Sequence, residues 1–248
     1  MHQTNGIQLM SNRFFINPIA TEICQISGES AHHIVNVMRM KTGDSVILFD
    51  GTNREFTGII TETDKKVVTI SIQSVIEVSR EQKITSTLAV AFPKGDRQKF
   101  MIEKLVELGV DSLVPLQTQR SVVNVQPRSL EKMQRWIVEA SKQCGRNQLM
   151  QIKPTVSFND WIHGQREGPR FVAHPHDMRL TITDAIGQAQ RAGVVSLTVG
   201  PEGGFTSQEI ADAQNAGWST IALGITILRI ETAAIAAATF FSLPENPG

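Results

Sequence analysis

The sequence predicts an α/β protein in which a small β-rich module precedes a largely parallel sheet with helices on both faces. Three observations carry this reading. From Thr85 onward, short apolar runs alternate with helical stretches, the pattern of parallel-sheet folds. Before that, three β-like runs at 45–49, 55–61 and 67–72 are separated by turn chemistry at Gly51-Thr52-Asn53 and Thr63-Asp64-Lys65, which suits a small barrel or compact sheet. Near the C-terminus two apolar runs, 194–199 and 220–223, each end in a glycine loop: Gly200 with Gly203 and Gly204 close behind, then Gly224. In open α/β sheets, ligands bind where such loops leave the carboxyl ends of strands.

In chain order, residues 1–12 read as a mobile tail and Arg13-Phe14-Phe15-Ile16 begins the ordered part. Gly28-Glu29-Ser30 leads into AHHIVNVMRM, where Ile34, Val37 and Met38 share one helical face. The polar stretch 76–84 marks a domain boundary, giving a tail at 1–12, a first domain at 13–78 and a second at 79–248. In the second, 87–92 is a strand, Pro93-Lys94-Gly95-Asp96 a loop, and 97–108 a helix with Phe100, Met101, Leu105 and Leu108 on one face. Gly109 closes it. A strand at 113–116, a loop at 117–121 and a long helix at 129–143 follow. Pro154 makes 152–156 an edge strand, and 159–167 is polar around Trp161. A strand at 171–173 ends at His174-Pro175, and a helix at 181–191 is closed by Gly193. Thr206 and Glu209 stand at capping-box spacing, so a helix starts there, and Gly217 ends it. The Ala-rich segment 231–241 is a buried helix.

Composition narrows the function. With 248 residues, 41% hydrophobic and 19% charged, the chain can bury a substantial core. Formal net charge is zero, but residues 94–146 hold ten Lys and Arg against six Asp and Glu, a modest basic zone compatible with phosphate contacts and with an ordinary helical surface. Cys24 and Cys144 are far apart and form no CxxC site, and the pairs His32/His33 and His174/His176 lack the cysteines of a metal cluster, so no metal is expected. MHQTNGIQLM lacks the basic start and apolar core of a secretory signal, and no apolar run reaches about 18 residues. The expectation is a cytoplasmic protein without a membrane span.

The glycine loops have a physical use beyond turning the chain. Without Cβ atoms, their backbone can approach a ligand closely, and successive N–H groups can hold an anion or the edge of a base. The pattern is not a P-loop, because no Gly-Lys-Ser/Thr follows, and the missing G-x-G-x-x-G argues against a nicotinamide enzyme.

VGPEGGFTSQE at 199–209 and LGITILRIETAA at 223–234 resemble the two hallmark segments of the RsmE family, 16S rRNA (uracil-N3)-methyltransferases of the SPOUT class. RFFI at 13–16, HHIVNVMRMKTGD at 32–44, KGDR at 94–97, EKLVELGV at 103–110, QRSVV at 119–123, EASKQCGR at 139–146 and AHP at 173–175 follow the family in order. The resemblance implies an N-terminal PUA-like β-barrel that helps bind rRNA, and a SPOUT-type parallel sheet ending in a trefoil knot. It also implies S-adenosylmethionine as cofactor, 16S rRNA of the small ribosomal subunit as partner, and a homodimer. Carried onto this chain, the cofactor residues are His174, Pro175, Val199, Gly200, Pro201, Glu202, Gly203, Gly204, Leu223, Gly224, Leu228, Arg229, Thr232 and Ala233. RNA contacts are expected from Arg13, His33, Arg39, Lys94, Arg97, Arg120 and Arg146. The chain departs from the family at Ile225-Thr226, where members usually carry Pro-Arg.

The chemistry sets further expectations. The donor methyl must be aligned with N3 of a uracil that is unpaired or flipped out. N3 carries a proton at neutral pH, so a base or an anion-stabilising group is needed. Arg229 and Arg120 are candidates for the cation, and Glu231 for the base, although a Glu at a helix start is often only a cap. A SPOUT methyltransferase for another RNA, or an RNA-binding homologue without activity, are the alternatives.

Overall fold

The computed structural model describes residues 12–16, 22–64, 66–175 and 180–242. Residues 1–11 of the expected tail, and His176, lie outside the described residues. The chain forms two compact units. One runs to Glu81 and includes Val138–Leu149; the other is built from Gln82–Ile137 and the described residues from Met150 onward.

The first unit is a five-stranded sheet with strand order β1-β3-β4-β5-β2. Its strands are β1 (Arg13–Phe15), β2 (Ile23–Ser27), β3 (Ser45–Phe49), β4 (Arg54–Thr63) and β5 (Val67–Glu77). β3, β4 and β5 are the three expected runs; β5 continues into the polar stretch that marks the domain boundary. Polar and exposed positions hid β2, of which only Ile26 is buried. β1 pairs parallel with β3, and the other pairs are antiparallel. Gly58 sits where a Cβ would lie 2.5 Å from Ile70 Cγ2 across the β4–β5 pair, so the strands can approach only at a glycine. The register slips beside it, between Thr57 and Gly58, and the sheet bends there. Helix α1 (Gly28–His32) passes into a wider π turn, His33–Val37. Ile34 is buried as expected, but the π turn rotates Val37 out to solvent at 60% exposure. The core gathers Phe14, Ile34, Leu48, Phe56, Ile60 and Ile70.

The second unit is a seven-stranded, wholly parallel sheet. Its elements are β6 (Thr85–Val90), α2 (Arg97–Glu107), β7 (Ser112–Gln117), α3 (Pro127–Cys144), β8 (Gln151–Ile152), β9 (Val156–Ser157), α4 (Phe158–His163), β10 (Arg170–Ala173), α5 (Ile182–Ala192), β11 (Val194–Val199), α6 (Ser207–Asn215), β12 (Ser219–Ile221) and α7 (Ile230–Ser242). The last residues of α3 belong to the first unit. Strand order is β12-β10-β11-β6-β7-β8, with β9 also on β7. The expected edge strand at 152–156 is split into two short strands flanking Pro154, whose missing N–H breaks the ladder. The polar stretch around Trp161 holds a short helix, α4, capped by Ser157.

Alternation along β10 shows both faces covered. Phe171 stacks on Phe241 of α7, with ring centroids 5.9 Å apart. Val172 points the other way, into a cluster with Trp161 and Ile162 of α4 and Ile210 and Ala213 of α6. Trp161 and Trp218 are buried there, their indoles donating to Thr198 Oγ1 (2.7 Å) and the Ile162 carbonyl (3.0 Å), so neither N–H is left unpaired. On α2 the buried side chains are Met101, Ile102, Leu105 and Val106, whereas Phe100, expected on that face, is 48% exposed. Among the described residues no helix is long and apolar enough to cross a membrane.

Candidate active site

β12, β10 and β11 are adjacent and parallel, so their carboxyl ends open on one edge of the sheet. β11 leaves into the 200–204 loop, β10 into His174-Pro175, and β12 into Leu223-Gly224. These loops, with Arg120, Thr226 to Leu228, Ile230 and Ala233, enclose a cavity of about 290 Å³.

Local chemistry shapes each wall. Gly204 has φ of +67°, a left-handed conformation that favours glycine, and its N–H donates to the Pro201 carbonyl at 2.8 Å, closing a turn. A Cβ on Gly200 would lie 2.8 Å from the Phe205 ring, which packs on Phe158 at 5.0 Å between centroids. The glycine therefore lets an aromatic ring floor the loop. Directly after it, the capping box of α6 is complete: Glu209 N–H donates to Thr206 Oγ1 (3.1 Å), and Thr206 N–H to Glu209 Oε2 (2.8 Å).

The loop after β7 is fastened to the same place. Glu209 Oε1 accepts from the Gln119 N–H at 2.9 Å, and Arg120 Nη1 donates to the Gly203 carbonyl at 2.7 Å. On another side, Arg97 at the start of α2 lies 3.5 Å from Glu202 and 3.6 Å from Glu231.

The structure brings twelve of the fourteen expected cofactor residues to the cavity wall; Arg229 and Thr232 are exposed and do not line it. Of the three expected catalytic residues, Arg120 lines the cavity. Glu231 does not: it is 7% exposed in the first turn of α7, and its carboxylate faces Arg97. Sequence reasoning missed Ala173, Phe205, Thr226 and Ile227 as lining residues; Ile230 falls within the expected 228–233 segment. Their adjacency to the glycine motifs was the available signal.

The expected RNA contacts divide sharply. His33, Arg39, Lys94 and Arg120 are exposed, and Arg97 is half-buried. Arg13 and Arg146 are each only 3% exposed, which corrects the expectation that they grip phosphate. Arg13 is spent on Glu55 (2.7 Å), on Asn147 and on the Arg146 carbonyl, with its guanidinium 4.5 Å from the Phe49 ring centre. Arg146 is held by the Glu81 carboxylate. Guanidiniums buried on protein carboxylates present no donors to a nucleic acid.

Comparison with known proteins bears on the same two units. Residues 80–242 match the RNA methyltransferase domain family, and residues 26–73 match the RNA methyltransferase PUA domain family. The chain is 32% identical over 226 residues to ribosomal RNA small subunit methyltransferase E of Bacillus subtilis, covering 88% of each protein. The chain belongs to the ribosomal RNA small subunit methyltransferase E family. The Rickettsia conorii member is 30% identical over 236 residues, covering 91% of this chain and 93% of its own. A methyltransferase E from Neisseria gonorrhoeae, solved bound to S-adenosyl methionine, superposes with a TM-score of 0.83 at 27% identity, covering 92% of this chain and 95% of that one. A Legionella pneumophila protein in complex with the bound cofactor SAM gives 0.86 at 33% identity, over 93% and 96% of the two chains. The fold is thus a parallel-sheet α/β fold of the SPOUT methyltransferase kind with an N-terminal PUA-like domain.

The cavity suits the cofactor of these relatives. Pro201, Phe205, Leu223, Ile227 and Leu228 offer apolar faces for a purine, while the glycine loops offer backbone donors and acceptors for its edge. Gly204 and Gly224 meet nothing within 4 Å of an added Cβ, which leaves room for backbone to approach a ligand. Among the described residues there is no group of three or more His, Cys, Asp or Glu placed to hold a metal.

Proposed function

We propose that this protein methylates N3 of a uridine in 16S rRNA of the small ribosomal subunit, using S-adenosylmethionine. The observation that carries the reading is the cavity at the carboxyl ends of β11, β10 and β12, walled by glycine loops. The cofactor supplies a methyl group that is already electrophilic. The chain's own residues do the rest. Backbone groups of 200–204 and of Leu223-Gly224 hold the adenine, and Arg120 contributes a fixed cation at the wall. Arg229, exposed at the start of α7, stabilises the uracil anion left when N3 loses its proton, or holds an adjacent phosphate. Glu231, turned toward Arg97, serves as a structural carboxylate rather than as the base.

The same reading extends to architecture. Residues 13–78 carry the RNA-binding PUA-like domain, with Val138–Leu149 packed into the same unit, and the remainder of 79–248 forms the methyltransferase domain. The C-terminal segment forms a trefoil knot, a rare exception to unknotted chain paths. Support comes from the chain path: β12 lies beyond β10, yet α7 packs back on β6 and β11, so the segment between them recrosses the strand ends. The protein works as a cytoplasmic homodimer; the exposed Ile225 and Ile227 beside the cavity favour a covered surface there.

The test is methyl transfer from labelled S-adenosylmethionine to small subunits lacking the modification, with the product digested to nucleosides. The expected result is 3-methyluridine, lost in Arg229→Ala. Cofactor binding with a different methylated nucleoside overturns the assigned target. No cofactor-dependent rise in melting temperature overturns the enzyme reading altogether.

A further inference from the structure

Arg97 occupies a position that its own helix does not favour. It is the first residue of α2, where the helix dipole favours anions, and α2 has no acidic residue in its first turn. Its compensation comes from elsewhere. One Nη lies 3.5 Å from Glu202 Oε1 and the other 3.6 Å from Glu231 Oε2. The two carboxylates come from two elements that border the cavity. Glu202 is in the glycine loop after β11, and Glu231 lies in the first turn of α7 between the lining residues Ile230 and Ala233.

The Glu231 carboxylate gives the bridge its weight. The residue is 7% exposed, and its Oε2 has no hydrogen-bond partner among the described residues, so Arg97 is the cation that faces a buried negative charge. A buried charge stripped of its partner is far more disruptive than an exposed one. Both separations also exceed the roughly 2.7–2.9 Å of a direct charge-assisted hydrogen bond, so each carboxylate would need to move less than about 1 Å toward Arg97 to make one.

We propose that Arg97 is a positioning residue that couples the glycine loop to the start of α7, so that the two walls close on the cofactor together. The proposal rests on the cofactor reading above. It removes Arg97 from the RNA-gripping set: its guanidinium serves the cavity rather than a phosphate.

The experiment is calorimetric titration of S-adenosylmethionine into wild type, Arg97→Ala, Arg97→Lys, Glu231→Gln and the Arg97→Ala/Glu231→Gln double variant, with thermal unfolding of each apo protein alongside. Arg97→Ala should weaken binding about tenfold, a coupling of ordinary allosteric size. Arg97→Lys keeps the charge but cannot span both carboxylates, and should fall in between. Glu231→Gln should weaken binding to a similar degree, and the double variant no further than Arg97→Ala, because the bridge is already lost. Should Arg97→Ala fail to fold, Arg97→Lys and the double variant carry the same comparison.

Arg97→Ala binding within about twofold of wild type, with the slope of RNA affinity against salt reduced by about one, identifies a phosphate contact and overturns the proposal. Losses that add in the double variant also overturn it, because the effect would not pass through Glu231. A wild-type protein that binds no S-adenosylmethionine overturns the functional reading itself, and this one with it.

Discussion

Arg13 and Glu55 are a charged pair kept inside the first unit, and they show why residue type alone misleads. Arg13 lies in a β1 motif that follows the rRNA methyltransferase family, and a sequence reader assigns it to phosphate. Folding instead places Glu55, 42 residues away, 2.7 Å from its guanidinium, with Arg80 as a second donor at 3.0 Å. Burial alone would raise the Glu55 carboxyl, but the hydrogen bonds and charges of Arg13 and Arg80 outweigh it and hold the group below its ordinary value. A lowered folded-state value means that Glu55 stabilises the protein above the unfolded carboxylate value of about 4.3, and that this contribution is lost as pH falls through the lowered value. Arg13→Ala should therefore cost about 3 kcal/mol, the low end for a broken buried pair because Arg80 remains. Urea denaturation at neutral pH measures it. Glu55→Gln should flatten the loss of stability on acidification below about pH 4.3; an unchanged acid profile would show that the pair carries no such linkage.

At the scale of elements, α6 is held by a local signal that also has a distant use. Thr206 and Glu209 were legible as a capping box because the motif is four residues long and its hydrogen bonds are local. That Glu209 also accepts from the Gln119 N–H, 90 residues away, was not legible, because only the parallel pairing of the sheet brings the loop after β7 to that helix end. The two roles separate by mutation. Thr206→Ala removes the cap alone and should cost about 1 kcal/mol with little change in cofactor affinity. Glu209→Ala removes the cap and the tie to Gln119, beside Arg120 and its bond to Gly203, and should lower both melting temperature and S-adenosylmethionine affinity. Equal affinities in the two variants would show that the tie does not shape the cavity.

At the scale of the whole molecule, the first unit is assembled from two separated pieces of chain. Val138–Leu149 belongs to it, although 56 residues of the other unit, Gln82–Ile137, intervene. Arg80 donates to the Gly145 carbonyl at 2.8 Å, Asn147 Nδ2 to the Val78 carbonyl at 2.9 Å, and Asn53 Nδ2 to Gln148 Oε1 at 2.8 Å. The Lys142 ammonium lies 5.7 Å from the Phe14 ring centre. A fragment comprising residues 1–81 lacks every one of these partners and leaves Arg13 and Glu81 half-paired. It should show no cooperative unfolding transition by circular dichroism, whereas the full chain should. A cooperative transition in the fragment would show that the second piece is dispensable.

Most elements were legible in the residues alone, because periodicity, caps and turn glycines are local properties: most of the alternating strands and helices, the glycine loops and the capping box lie where residue spacing puts them. The family was legible too, through short motifs in fixed order. Where a reading depended on partners distant in the chain, the folded molecule overruled it. It hid Arg13 and Arg146, turned Glu231 toward Arg97 and away from the cavity, exposed Phe100 and Val37, and joined Val138–Leu149 to the first unit. Burial and charge compensation are properties of three-dimensional neighbours, and no spacing along the chain encodes which carboxylate an arginine will meet.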